Sequence, residues 1–205
     1  MTNSKGHVYL IDDDMSIRAS LTRTIVDVGY AVQNFSGAKD FMENLMPVSP
    51  AVILLDMQMP DLIGLDLQEQ LTQLGLKTPI IFISGQSHKK QIVQGLKNGA
   101  IDFLFKPFNL AELFAAIDIG ITKDRAQIQK LVQEGNVRKN FSLLTPREKE
   151  VCHLLVQGFK NKDIAKQFNL VDATIKVHKA RIMEKMHANS LQNLVALYLQ
   201  FNLEQ

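Results

Sequence analysis

The apolar residues in the first half of the chain come in short bursts. HVYLI (His7 to Ile11), AVQNF (Ala31 to Phe35), AVILLD (Ala51 to Asp56), PIIFIS (Pro79 to Ser84) and IDFLF (Ile101 to Phe105) each have the length of a strand. Between them lie amphipathic stretches, from about Met15 to Val28 and near residues 38–46, 64–74, 88–98 and 110–122, whose spacing predicts helices. AVILL and PIIFI are continuously apolar rather than alternating, which predicts strands buried on both faces. Five strands alternating with five helices imply an α/β doubly wound domain over residues 1–121, a five-stranded parallel sheet covered on both sides.

The pattern changes near Thr122. The segment TKDRAQIQKLVQEGNVRKNFS is charged and Gln-rich, and it reads as a partly helical linker over 122–142. Residues 143–205 carry helical signals only, at Pro146 to Gln157, Asn161 to Phe168, Ala173 to Met186 and Ser190 to Phe201. LTPRE marks a helix start, with Thr145 as N-cap, Pro146 first in the helix and Glu148 in the capping-box position; Gly158 supplies the stop. The short turn FNLVD between the second and third of these helices predicts an all-α, four-helix domain of the helix-turn-helix kind.

Composition narrows the setting. A single cysteine, Cys152, excludes an intrachain disulfide framework and a cysteine-rich zinc cluster, and it predicts a reducing, cytoplasmic environment. The start, MTNSKGHVYLIDDD, lacks a signal-peptide pattern, and nowhere do about 18 apolar residues follow one another, so no membrane association is expected. The net charge of +2 is an average over unlike halves. Residues 1–120 hold 9 basic and 13 acidic side chains, net −4, whereas residues 121–205 hold 14 and 8, net +6. An acidic module suits a cation and a basic one suits a polyanion.

Chemistry-bearing residues fall at the strand ends: Asp12, Asp13 and Asp14 after the first run, Asp56 after the third, Ser84 after the fourth and Lys106 after the fifth. In an open α/β sheet, ligands bind outside these carboxyl ends, near the point where strand order reverses. Clustered carboxylates repel unless a cation neutralises them, and oxygen ligands with room for water suit Mg²⁺. The bland alternative for the DDD run is a solvated acidic turn, with Asp14 serving as a helix N-cap. Asp56, presented beside this cluster, is a candidate nucleophile able to form an acyl phosphate, with Lys106 as a second cation and Ser84 as a hydroxyl donor.

In this order and at these strand ends, DDD, LLDMQMPDLIG, ISG and DFLFKPF resemble the receiver domain of two-component response regulators, whose fold is flavodoxin-like. The spacing agrees, with 28 residues from Asp56 to Ser84 and 22 from Ser84 to Lys106. The resemblance implies that a sensor histidine kinase phosphorylates Asp56, and that Asp12, Asp13, Asp56 and the main-chain carbonyl of Gln58 hold Mg²⁺. It also matches Ser84 and Phe103 to the family's switch pair, although Phe103 reads equally well as a core phenylalanine. Ile63 stands where the family has a small polar residue, and Gln58 and Gln86 are neutral at positions that tune access of water to the phosphorylated site.

The terminal residues LTPREKEVCHLLVQGFKNKDIAKQFNLVDATIKVHKARIMEKMHANSLQNLVALYLQ resemble the LuxR-type DNA-binding domain. Together the two resemblances point to the FixJ/NarL class of transcriptional response regulators. They imply double-stranded promoter DNA as a partner, a homodimer on activation, and RNA polymerase as a candidate partner. Lys176, Val177, Lys179 and Ala180 would lie in the major groove with Arg181 on the flank, and Thr145, Lys160 and Lys162 would touch phosphates. For each lysine the alternative is a solvated helix face. An enzyme is disfavoured: haloacid-dehalogenase-type phosphatases use a second aspartate two residues beyond the nucleophile, here Gln58, and no nucleotide-binding glycine motif is present.

Overall fold

The computed structural model describes residues 4–60, 62–85 and 89–203. A first compact unit ends at Ile128 and a second begins at Gln129. In the first, β1 (His7–Ile11), β2 (Ala31–Phe35), β3 (Ala51–Asp56), β4 (Ile80–Ser84) and β5 (Asp102–Phe105) form a parallel sheet in the order β2-β1-β3-β4-β5. Strand order therefore reverses between β1 and β3, which are hydrogen-bonded neighbours with Leu10 beside Leu54. Their carboxyl ends carry Asp12 and Asp56, so the switch point of the sheet is where the acids collect.

Alternate residues of each strand go to opposite sides, as the pleat requires. On one side Tyr9, Ile11, Ile53, Leu55 and Phe82 pack with Phe41 of α2 (Ala38–Asn44) and Leu67 and Leu71 of α3 (Gly64–Gln73). On the other, Val8, Leu10, Val52, Leu54, Ile81 and Ile83 pack with Leu21 and Ile25 of α1 (Met15–Asp27) and Leu113 and Ile117 of α5 (Leu110–Ser142). The remaining helix, α4 (Lys89–Lys97), approaches Phe82 and Phe103 at Gly95.

The chief departure from the expected outline is α5. The helix expected near 110–122 and the partly helical linker of 122–142 are one continuous helix, Leu110–Ser142. Its charged middle lacks a broad apolar face, but it is tethered where it needs to be. Asp124, buried, accepts from the Ser49 hydroxyl at 2.5 Å and the Ala51 N–H at 2.8 Å. Farther along, Val137 is buried in the core of the second unit. Gly135 interrupts nothing, since one exposed helical glycine costs only about 1 kcal/mol.

The second unit adds α6 (Pro146–Val156), α7 (Asn161–Gln167), α8 (Asp172–Lys185) and α9 (Leu191–Gln200) around Val151, Leu155, Ile164, Ile175, Ile182, Leu194 and Tyr198. The capping box forms as expected: the Thr145 side chain accepts from the Glu148 N–H, and Glu148 accepts from the Thr145 N–H. Gly158 closes α6 with φ +89°. In the turn between α7 and α8, Asn169 adopts φ 55°, a conformation asparagine tolerates better than most residues. Asn161 and Asp172 do not act as caps. Both lie inside their helices, after Lys160 and Val171, and neither helix start has a side-chain cap. Cys152 is buried, and burial pushes its thiol up to about 11, which suits a packing residue rather than a reactive one. Among the described residues no helix is long and apolar enough to cross a membrane.

Candidate functional site

At the switch point three carboxylates meet. Ligand oxygens of Asp12, Asp13 and Asp56 all lie within 4.8 Å of one another, with Asp12 and Asp56 buried and Asp13 exposed. Lys106 reaches across from the end of β5, its Nζ 2.6 Å from Asp56 Oδ2 and 3.1 Å from Asp12 Oδ2. Burial alone would lower the Lys106 ammonium, but its bonds to Asp56 and Asp12 outweigh burial and hold it above its ordinary value. Burial pushes the Asp12 carboxyl upward, and the hydrogen bond and charge of Lys106 offset only part of that. The other oxygens are held by main-chain donors: Asp56 Oδ1 accepts from the Gln58 N–H at 2.9 Å, and Asp12 Oδ1 from the Asp14 N–H at 2.9 Å.

The neighbours divide the labour. Asp14 caps α1, accepting from the Ser16 and Ile17 N–H groups at 2.8 and 3.0 Å, and these bonds lower its carboxyl. Arg18, one turn on, donates to the Asp12 carbonyl at 2.6 Å; no sequence motif marks it. Gly64 opens α3 under Ile63, which supplies no side-chain cap. A Cβ at Gly64 would stand 2.8 Å from the Asp56 carbonyl oxygen, so only glycine lets α3 start this close to the acidic strand end. Gln58 is exposed. Gln86 and Asp61 lie outside the described residues.

Ser84, fully buried, ends β4, and its carbonyl accepts the Lys106 N–H at 2.8 Å. The Phe103 ring is buried as well, 4.8 Å from the Phe82 ring. Room for it therefore already exists in the core between sheet and α4.

In the second unit α8 buries Ile175 and Ile182 and leaves Lys176, Val177, Ala180 and Arg181 on an exposed stripe, with Lys179 half-buried beside it. Met183 packs against the core, and Val177 is 49% exposed. Lys176 is paired with Asp172 one turn earlier at 2.8 Å. Lys160 and Lys162 are exposed at the start of α7, and Thr145 is exposed at the start of α6. Two basic residues outside the expected set are structural. Lys185 pairs with buried Glu148 at 2.7 Å, and the Arg147 guanidinium stacks 3.5 Å above the Phe168 ring.

Residues 8–118 match the response regulator receiver domain, and residues 142–198 match the luxR family of bacterial regulatory proteins. Nodulation protein W of Bradyrhizobium diazoefficiens is 35% identical over 195 residues, 95% of this chain and 86% of that protein. The transcriptional regulatory protein FixJ of the same species is 34% identical over 194 residues, 95% of each chain. The chain belongs to the response regulators. Solved structures agree along its length: that of the response regulator StyR has a TM-score of 0.84 at 37% identity, covering 95% of this chain and 98% of its own. Full-length FixJ from B. japonicum gives 0.61 at 32%, covering 99% and 100%. This response regulator joins a receiver fold to a LuxR-type helical domain, the make-up of a transcriptional regulator rather than of a conventional enzyme.

Proposed function

We propose that Asp56 is the phosphoryl acceptor, and that its phosphorylation by a sensor histidine kinase turns residues 143–205 toward promoter DNA. The observation carrying this is the setting of Asp56: buried, one oxygen held by the Gln58 N–H and the other by Lys106, with Asp12 and Asp13 alongside. An Asp56 oxygen attacks the phosphorus of a phosphohistidine, the P–N bond breaks, the imidazole leaves with a proton, and an aspartyl phosphate remains. Lys106 and the Ser84 hydroxyl take up charge on the new phosphoryl oxygens. The donor set is all oxygen and one acid is exposed, which fits Mg²⁺ with bound water. Asp12, Asp13, Asp56 and the Gln58 carbonyl would hold it, and it would neutralise the transferring phosphoryl group. Water then slowly hydrolyses the aspartyl phosphate.

Ser84 and Phe103 relay the change toward α4 and β5. Phe105 and Ile119, 50% and 60% exposed, line one groove with Ala115, an apolar surface suited to a homodimer of activated receivers. Residues 1–121 act as the receiver and 122–142 as its helical connection. Two copies of α8 read adjacent half-sites: Lys176, Val177, Lys179 and Ala180 face the groove, Arg181 the flank, and Lys160, Lys162 and Thr145 the phosphates. Thr145 keeps its hydroxyl proton for a phosphate, because in the cap it only accepts. RNA polymerase completes the set of partners, and the setting is the cytoplasm. The test is chemical: with Mg²⁺ and phosphoramidate the protein acquires a base-labile phosphoryl group that maps to Asp56, and Asp56→Asn acquires none. Equal labelling of Asp56→Asn refutes the assignment.

A further inference from the structure

Gln68, on the inner side of α3, is 1% exposed. Its amide nitrogen donates to the main-chain carbonyl of Gly95 in α4 at 3.0 Å, and its Oε1 has no hydrogen-bond partner among the described residues. A carbonyl can only accept, so the contact itself fixes which end of the amide faces α4. The Gly95 carbonyl belongs to the last turn of α4. It also accepts the Ala100 N–H at 3.0 Å, while Gly99, at φ +99°, turns the chain and donates to Leu96, the usual glycine stop of a helix. At Gly95 the backbone of α4 also comes close to two rings of the sheet. A Cβ there would stand 3.0 Å from ring carbons of both Phe82 and Phe103. One buried hydrogen bond thus ties α3 to the backbone of α4 at the point where α4 covers Phe103.

We propose that Gln68 is a positioning residue of the switch: it pins the last turn of α4 over Phe103 and so sets how far the unphosphorylated receiver stands from its active arrangement. This rests on the assignment of Ser84 and Phe103 as the switch pair. A leucine at this position would fill similar space without burying an unpaired acceptor. The contribution of the amide is therefore its directional bond to Gly95, not its packing.

The experiment uses the full chain and a DNA duplex selected from a random pool for tight binding. In Gln68→Leu, labelling of Asp56 by phosphoramidate stays at the parental level. DNA affinity of the unphosphorylated protein rises about fivefold and the gain on phosphorylation falls by the same factor, the scale of one net hydrogen bond. Exchange of the Ala100 amide hydrogen speeds up, because its acceptor turn is released. Gly95→Ala, which wedges α4 off the rings, gives the same shift, and adding Gln68→Leu to it changes little, since both act at one contact. Gln68→Met, of similar length and without a donor, repeats the test should the leucine variant fold poorly. Unchanged or lowered basal affinity, or full additivity of the two variants, overturns the pin. A parent protein whose DNA affinity ignores phosphorylation defeats the function proposed above, and the pin with it.

Discussion

Lys106 stands between two carboxylates that a cation is proposed to share, and its ammonium already does part of that cation's work. The charge 2.6 Å from Asp56 and 3.1 Å from Asp12 makes the pocket stable without metal and also opposes the metal's entry. Lys106→Met should therefore bind Mg²⁺ more tightly, by about 1 to 2 kcal/mol or about five- to thirtyfold, while losing the response to phosphorylation. Calorimetric titration decides it, and weaker Mg²⁺ binding by the variant would count against the shared pocket. The acids and the lysine were legible in the sequence because strand ends can be located from apolar runs, and the sheet then brings the ends together. Arg18 and Gln68 were not legible. Each donates to a main-chain carbonyl outside its own helix, a partner with no signature of its own.

The strands follow the apolar bursts to within a residue at each end, since burial on both faces leaves few other readings of AVILL or PIIFI. The continuation of α5 beyond residue 122 was hidden for the opposite reason. Its charged, Gln-rich stretch is held by isolated anchors such as Asp124 and Val137 rather than by a repeating face. On α6 and α8 the informative contact is Glu148 with Lys185. Burial would raise the Glu148 carboxyl, but Lys185 and the Thr145 N–H outweigh it and hold the carboxyl below its ordinary 4.5. A depressed folded-state value means stability that is present above pH 4.5 and lost as pH falls through the folded value. Lys185→Met should cost about 1.5 to 3 kcal/mol near neutrality and flatten that acid loss, as urea unfolding across pH will show. An unchanged acid limb would contradict the pairing. The exposed lysines behave differently: Lys160→Ala and Lys162→Ala should each lower the salt slope of DNA binding by about 1 per bound copy, about 2 for the dimer, whereas Lys185→Met leaves it alone.

For the whole molecule, the near-neutral total charge conceals a division of tasks. The −4 of residues 1–120 includes the pocket acids, and the +6 of residues 121–205 is spread over the helical connection and the terminal helices. Residues 143–205 hold 9 basic and 6 acidic side chains, net +3, so one copy offers few phosphate contacts and two copies on paired half-sites double them. On the proposed function, activation brings two weak binders together. The most direct measurement is DNA affinity for a two-half-site duplex, with Mg²⁺ present and with or without phosphoramidate, for the parent and for Asp56→Asn. Phosphorylation should tighten and steepen binding by the parent, while Asp56→Asn stays at the unphosphorylated level under both conditions. Equal tightening in Asp56→Asn, or none in a fully phosphorylated parent, would contradict the account.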